Sequence, residues 1–236
     1  MLSKNAKLPF VLCPLLIVLC SLNCNMKKTP TYFVKHQSGN EFALNADPDK
    51  VFWKNANELT DFNFPWQQKK APHTAFKALH DSSNLYFIFE VEDADIVLAE
   101  NYSEKTDVVK EDRVELFFSP TLDIAEYYCL EMDPQGRVYD YKAFYYRDFY
   151  KDWTWPGLQV QGKITENGYI LEGLIPLESF EKLGMEPAEG IITGIYRAEF
   201  SQSKEGINQK LIISIDILTE KPDFHVPTSF GKLVFE

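Results

Sequence analysis

The feature that most limits what this chain can become is how often it is interrupted. Beyond residue 70 it breaks into ten short β-rich runs, at residues 74–80, 85–92, 113–119, 127–133, 137–144, 158–164, 169–176, 191–200, 210–216 and 232–235. Several alternate apolar with polar side chains, the period-2 signature of a strand that turns one face to a core. Turn strings separate many of them: Asp81-Ser82-Ser83-Asn84, Asp133-Pro134-Gln135-Gly136 and Glu166-Asn167-Gly168. Their short polar side chains bond to nearby backbone, and their glycines tolerate positive φ. The second string lies between two runs and reads as a hairpin. Only two segments suggest helix: residues 50–58, and residues 177–183 stopped by Gly184. The expected fold is all-β: an antiparallel β-sandwich or jelly roll with one or two short helices, in one domain over residues 32–236.

The first residues carry an address. Lys4 and Lys7 precede an apolar run at residues 8–19, and Ser21-Leu22-Asn23-Cys24 ends it. A bilayer span needs about 20 apolar residues, so this run fits a secretory signal better than an anchor helix. A cysteine closing such a run is similar to a bacterial lipoprotein signal. On that reading residues 1–23 are the signal peptide, Cys24 carries the lipid, and residues 24–31 form a tether. Cys20 is the alternative lipid site, and an ordinary cleaved signal is the alternative process. The expected location is the bacterial cell envelope, lipid-anchored at the outer membrane or cell surface. Of the four cysteines only Cys129 then remains in the folded part. No internal disulfide is possible there, and Cys129 is expected to be a packed thiol.

The net charge of −11 opposes phosphate backbones, so no nucleic-acid partner is expected. Residues 127–158 hold eleven aromatic side chains, interleaved with acids and arginines. Tyrosine and tryptophan pair an apolar face with a polar tip, and sugars present the complementary surface of flat C–H faces edged by hydroxyls. In Trp153-Thr154-Trp155-Pro156 two indoles share a side if the chain is extended, either as a pyranose platform or with one ring in the core. Tyr145, Tyr146, Arg147 and Phe149 form a loop over such a site or a solvated loop. Trp53 is expected in the core.

Charges inside β-rich runs are costly unless exposed or paired. Arg197 and Glu199 therefore stand out, and with Glu115 and Glu131 they form either a hydrogen-bonding floor or a structural ion-pair cluster. Arginine and carboxylates suit vicinal hydroxyls, which both donate and accept. His225 reads as a loop histidine. Glu115 and Glu131 are also the only candidates for a glycosidase pair. No enzyme signature surrounds them, the histidines lack metal-ligand spacing, and neither G-x-S-x-G nor a phosphate loop occurs. A non-catalytic binding protein is expected, with an interaction scaffold as the first alternative and a glycoside hydrolase as the second.

The order of these pieces resembles the family 9-like carbohydrate-binding module. The likeness rests on Asp47-Pro48-Asp49-Lys50-Val51-Phe52-Trp53 with Ala56, on Thr74–Asp81, on Leu85-Tyr86-Phe87 and on Val91-Glu92-Asp93. It continues through Asp112-Arg113-Val114-Glu115-Leu116-Phe117-Phe118, then Gly168-Tyr169-Ile170-Leu171-Glu172-Gly173-Leu174-Ile175-Pro176, and closes with Phe230-Gly231-Lys232-Leu233. The resemblance implies a β-sandwich whose concave side clamps an oligo- or polysaccharide between two aromatic rings. One clamp position falls near Val109, which cannot stack, and the other near Phe224. An acidic hydrogen-bonding position matches Glu115. Trp153, Trp155 or Trp66 is then expected to replace the ring missing near Val109. Some members carry calcium, for which Asp93 and Asp95 are the candidates here; no other cofactor is expected.

Overall fold

The computed structural model describes residues 29–236, apart from 39–41, 68, 205, 216 and 218. The expected signal and the lipid sites at Cys20 and Cys24 lie outside the described residues. Thirteen strands are present: β1 (Thr31–His36), β2 (Asn57–Leu59), β3 (Thr74–His80), β4 (Asn84–Glu92), β5 (Arg113–Ser119), β6 (Glu126–Met132) and β7 (Val138–Phe144), then β8 (Asp148–Tyr150), β9 (Gln159–Thr165), β10 (Gly168–Pro176), β11 (Ile191–Ser203), β12 (Gly206–Ile213) and β13 (Gly231–Phe235). The described α-helix is α1, Leu177–Lys182, and residues 51–55 form a 3₁₀ turn rather than a longer helix.

The strands follow one hydrogen-bonded path, β8-β7-β6-β5-β11-β13-β1-β3-β4-β10-β9, with β12 on β11 and β2 on β3. β1 makes the fold in that path. Its first four residues pair with β13 and its last two with β3, both in parallel, so a single strand belongs to both layers. These two parallel contacts depart from the purely antiparallel expectation. The sheet curls at β1 into a sandwich. Val114, Leu116, Phe118, Leu130 and Ile195 of the larger layer meet Phe76, Phe87, Phe89, Val91 and Leu171 of the smaller layer in one buried core.

The sequence strings explain local structure. Gly136, at φ +82°, closes the β6–β7 hairpin by donating to the carbonyl of Asp133, whose carboxylate accepts the amides of Gln135 and Arg137. Gly168 must be glycine, since a Cβ there would lie 1.9 Å from the Val91 carbonyl oxygen. Glu172 is fully buried and accepts the amides of Asn45 and Ala46, the Trp53 indole N–H and the Lys50 ammonium. It thus pins the opening segment and holds Trp53, 3% exposed, in the core. Cys129 is a buried free thiol, pushed well up by burial.

Candidate functional site

The larger layer has a second, outward face. Alternation along β5, β6, β7 and β11 places Arg113, Glu115, Phe117, Cys129, Glu131, Tyr139, Tyr141 and Tyr196 on it. Register sets Glu131 opposite Glu115 and Tyr139 opposite Glu131. Two carboxylates facing each other across adjacent strands repel unless a cation intervenes. Arg113 intervenes, with Nε 2.8 Å from Glu115 Oε1 and 2.7 Å from Glu131 Oε2. The Tyr141 hydroxyl donates to Glu131 Oε1 at 2.9 Å. Arg113 Nη1 donates to the Val109 carbonyl at 3.0 Å, and Nη2 has no protein partner among the described residues. The three charged groups are buried, at 6%, 2% and 4% exposure for Arg113, Glu115 and Glu131. Burial pushes Glu115 up to about 8, against the pull of Arg113 and with the push of Glu131.

Towards the other end this face is filled by the chain itself. Phe224 lies flat on Tyr196, centroids 4.2 Å apart and planes 9° from parallel. At 3% exposure, with one ring face covered by Tyr196, it is packed into the chain rather than standing open as the expected clamp ring. Trp66 packs at the edge of that stack, its indole N–H donating to the Thr219 carbonyl. His225 meets the Tyr127 hydroxyl through Nδ1 at 2.9 Å, and burial lowers its pKa to about 3. The rim is open: Tyr145 and Tyr146 are each 52% exposed. Tyr146 and Arg147 both bond to Asp223, joining the β7–β8 turn to the segment before Phe224.

Arg197 and Glu199 do not join Glu115 and Glu131. In β11 they share parity with Ile195, which faces the core, and Arg197 registers with Val114 rather than with Arg113. Arg197 is fully buried and ties the layers together. It donates to Thr74 Oγ1 at 3.1 Å and to the Glu92 carbonyl at 3.0 Å, and it ion-pairs with Glu199 and with Asp93 at 3.4 Å. Asp93, Asp112 and Glu199 each place an oxygen within 4.8 Å of the others. Calcium takes six to eight oxygens. Here both Asp112 oxygens accept backbone amides, of Val97 and Phe200, and Arg197 occupies the other two carboxylates. The cluster fits a guanidinium and not calcium. Burial, reinforced by Asp93 and Glu199, holds Asp112 up at about 7. Asp95 lies outside the cluster and accepts the Gln202 amide.

The two indoles of residues 153–155 also separate. Trp155 is 2% exposed, wedged between Phe118 and Phe180, with its N–H on Ser179 Oγ at 2.8 Å. It belongs to the core and is not a platform. Trp153 is half-buried and packs on Tyr128, which lies on the core face of β6. It is therefore on the opposite side of the sheet from Glu131 and cannot replace a ring near Val109. Arg113 and Tyr141 are the floor residues that the sequence reading did not single out. Arg113 had a signal, since it shares parity with Glu115.

The sequence model of the family described as carbohydrate family 9 binding domain-like matches residues 46–236. A search of curated protein sequences finds no significant match. Among solved structures, the chain is similar to a candidate carbohydrate-binding protein from Bacteroides uniformis ATCC 8492, with 19% identity and a TM-score of 0.66 over 89% of this chain and 100% of that one. It is also similar to a family 9 carbohydrate-binding module from Caldicellulosiruptor kristjanssonii in complex with glucose, with 16% identity and a TM-score of 0.58 over 88% and 96% of the two chains. The module in complex with cellotriose gives 17% identity and a TM-score of 0.56 over 88% and 94%.

Proposed function

From the premise that this chain belongs to the carbohydrate family 9 binding domain-like family, we propose that it binds carbohydrate without cleaving it. The site is the outward face of the larger layer. The observation that carries this is Arg113 bracing two opposed glutamates on a face of tyrosines. A rigid fork of charged donors and acceptors beside aromatic rings matches the edge and face of a pyranose. Arg113 Nη2 is the donor left over for a hydroxyl. Tyr145, Tyr146 and Arg147 form the rim. The solved complexes of similar modules contain glucose and cellotriose, which makes glucans the first ligands to try.

Binding is favoured over hydrolysis by the same geometry. A glycosidase sets its two carboxyls on either side of the scissile bond, about 5–9.5 Å apart. Here a guanidinium fills the space between them, within 2.8 Å of each. The test is calorimetry with glucose and cellotriose, backed by a glycan array. Glu131→Ala should weaken whatever binds, and silence across the whole panel would sink the reading.

We propose in addition, on the sequence of residues 4–24, that it is an envelope lipoprotein anchored through Cys24, and that its binding serves polysaccharide capture. Labelling with a palmitate analogue should be lost in Cys24→Ser and retained in Cys20→Ser.

A further inference from the structure

Tyr128, Lys142 and Tyr150 stand side by side across β6, β7 and β8, on the face opposite Glu131. Near the middle of the sheet this face carries the core, and Tyr128 is 4% exposed. At the β8 edge it runs out into solvent, and Tyr150 is 51% exposed. Trp153 sits on the resulting ledge. Its ring lies 5.0 Å from Tyr128 and 5.6 Å, nearly perpendicular, from Trp155. Lys142, Tyr150 and Trp153, with Phe149, Lys151 and Asp152, line an open concavity.

Three properties separate this ledge from an ordinary sheet edge. First, the platform is held in place. The Trp153 amide donates to the Tyr150 carbonyl at 3.3 Å, and its carbonyl accepts the Lys105 ammonium at 2.8 Å. Second, its indole N–H is available. Trp53, Trp66 and Trp155 spend theirs on Glu172, Thr219 and Ser179. That of Trp153 has no partner among the described residues. Third, fixed polar groups stand beside the rings. Lys142 pairs with Glu126 at 3.0 Å and lies 4.8 Å from the Phe144 ring centroid.

We propose that this ledge is a second carbohydrate surface, taking the flat C–H face of one pyranose with equatorial hydroxyls, within an oligosaccharide chain. The inference rests on the carbohydrate-binding reading above, but it uses different residues on the other face of the sheet. The rings supply apolar contact and the Trp153 N–H donates to an edge hydroxyl. Lys142 and Glu126 donate to and accept from its neighbours. A half-buried tryptophan on a rigid bed loses little freedom on binding. Two surfaces back to back would let one module bridge two glycan chains.

The test follows the four indole ¹⁵N–H signals of the full chain during titration with cellohexaose, in the wild type and in Glu131→Gln, with Trp153→Phe assigning the signal. The expected result is a saturable shift of the Trp153 signal in both proteins. Tyr150→Ala should weaken that curve about tenfold. No shift at Trp153 in either protein overturns the ledge, whatever calorimetry reports for the other face. A shift lost in Glu131→Gln also overturns it, because the two surfaces would then be one. The reading of the outward face fails separately, if Glu131→Gln and wild type take up cellohexaose with identical heats.

Discussion

Arg113-Val114-Glu115 and Arg197-Ala198-Glu199 share the Arg-x-Glu pattern in neighbouring strands, yet their charged residues end on opposite faces of one sheet. In β5 the arginine faces outward and braces two glutamates beside tyrosines. In β11 it faces inward and ties the two layers through Thr74, Glu92 and Asp93. The register decides, because Arg197 pairs with Val114 rather than with Arg113. One cluster lies under the face proposed for carbohydrate and the other ties the two layers together. The same pair of charges thus acquires different partners from a one-residue offset.

The sharpest way to break this contrast is Arg197→Ala. It strands Asp93 and Glu199 as buried acids, and should cost about 3–5 kcal/mol in urea denaturation. The folded fraction should keep its sugar affinity; a specific loss of affinity would place Arg197 in the site after all. Trp155→Ala should cost a similar ~3–5 kcal/mol by emptying a core position, whereas Trp153→Ala should leave the denaturation midpoint nearly in place. Next in size is Glu131→Ala. It removes a charged hydrogen-bonding group from the proposed floor and should weaken sugar binding roughly 10–100-fold.

A pH series sharpens the same contrast. Glu115 has its folded pKa raised from the ordinary 4.5 to about 8, so its contribution to stability is present at low pH. It is lost as the pH rises from about 5 through 8, and Glu115→Gln should flatten that alkaline limb. His225 is the opposite case. Its folded pKa is depressed from 6.5 to about 3, so stability falls as the pH drops through that window, and His225→Gln should flatten the acid limb. Thermal melts at stepped pH check both. The smallest effect belongs to the rim. Asp223→Asn breaks partly exposed contacts with Tyr146 and Arg147 and should cost under about 1 kcal/mol, read best as a changed association rate.

Much of the architecture was legible in the chain itself. Ten strand positions, the Asp133–Gly136 hairpin, the short helix before Gly184 and the burial of Trp53 all follow from patterns of a few residues. Such patterns act locally, through side-chain period, turn chemistry and burial preference. The short strands β2 and β8 escaped because three residues are too few to show a period. β1 escaped because its role is not local: it joins two layers by pairing with strands about 40 and 200 residues away.

The sequence by itself determined which side chains share a face within a strand, since alternation is a property of the extended backbone. Only the tertiary structure decided which of those faces meet. Register between β5 and β11 sent Arg197 inward, and stacking on Tyr196 consumed Phe224. Two residues of chain sufficed to put Trp155 in the core and leave Trp153 at its edge. Register and layer coverage depend on residues far apart in sequence, which is why the faces of single strands could be read from the chain while the surfaces they build together could not.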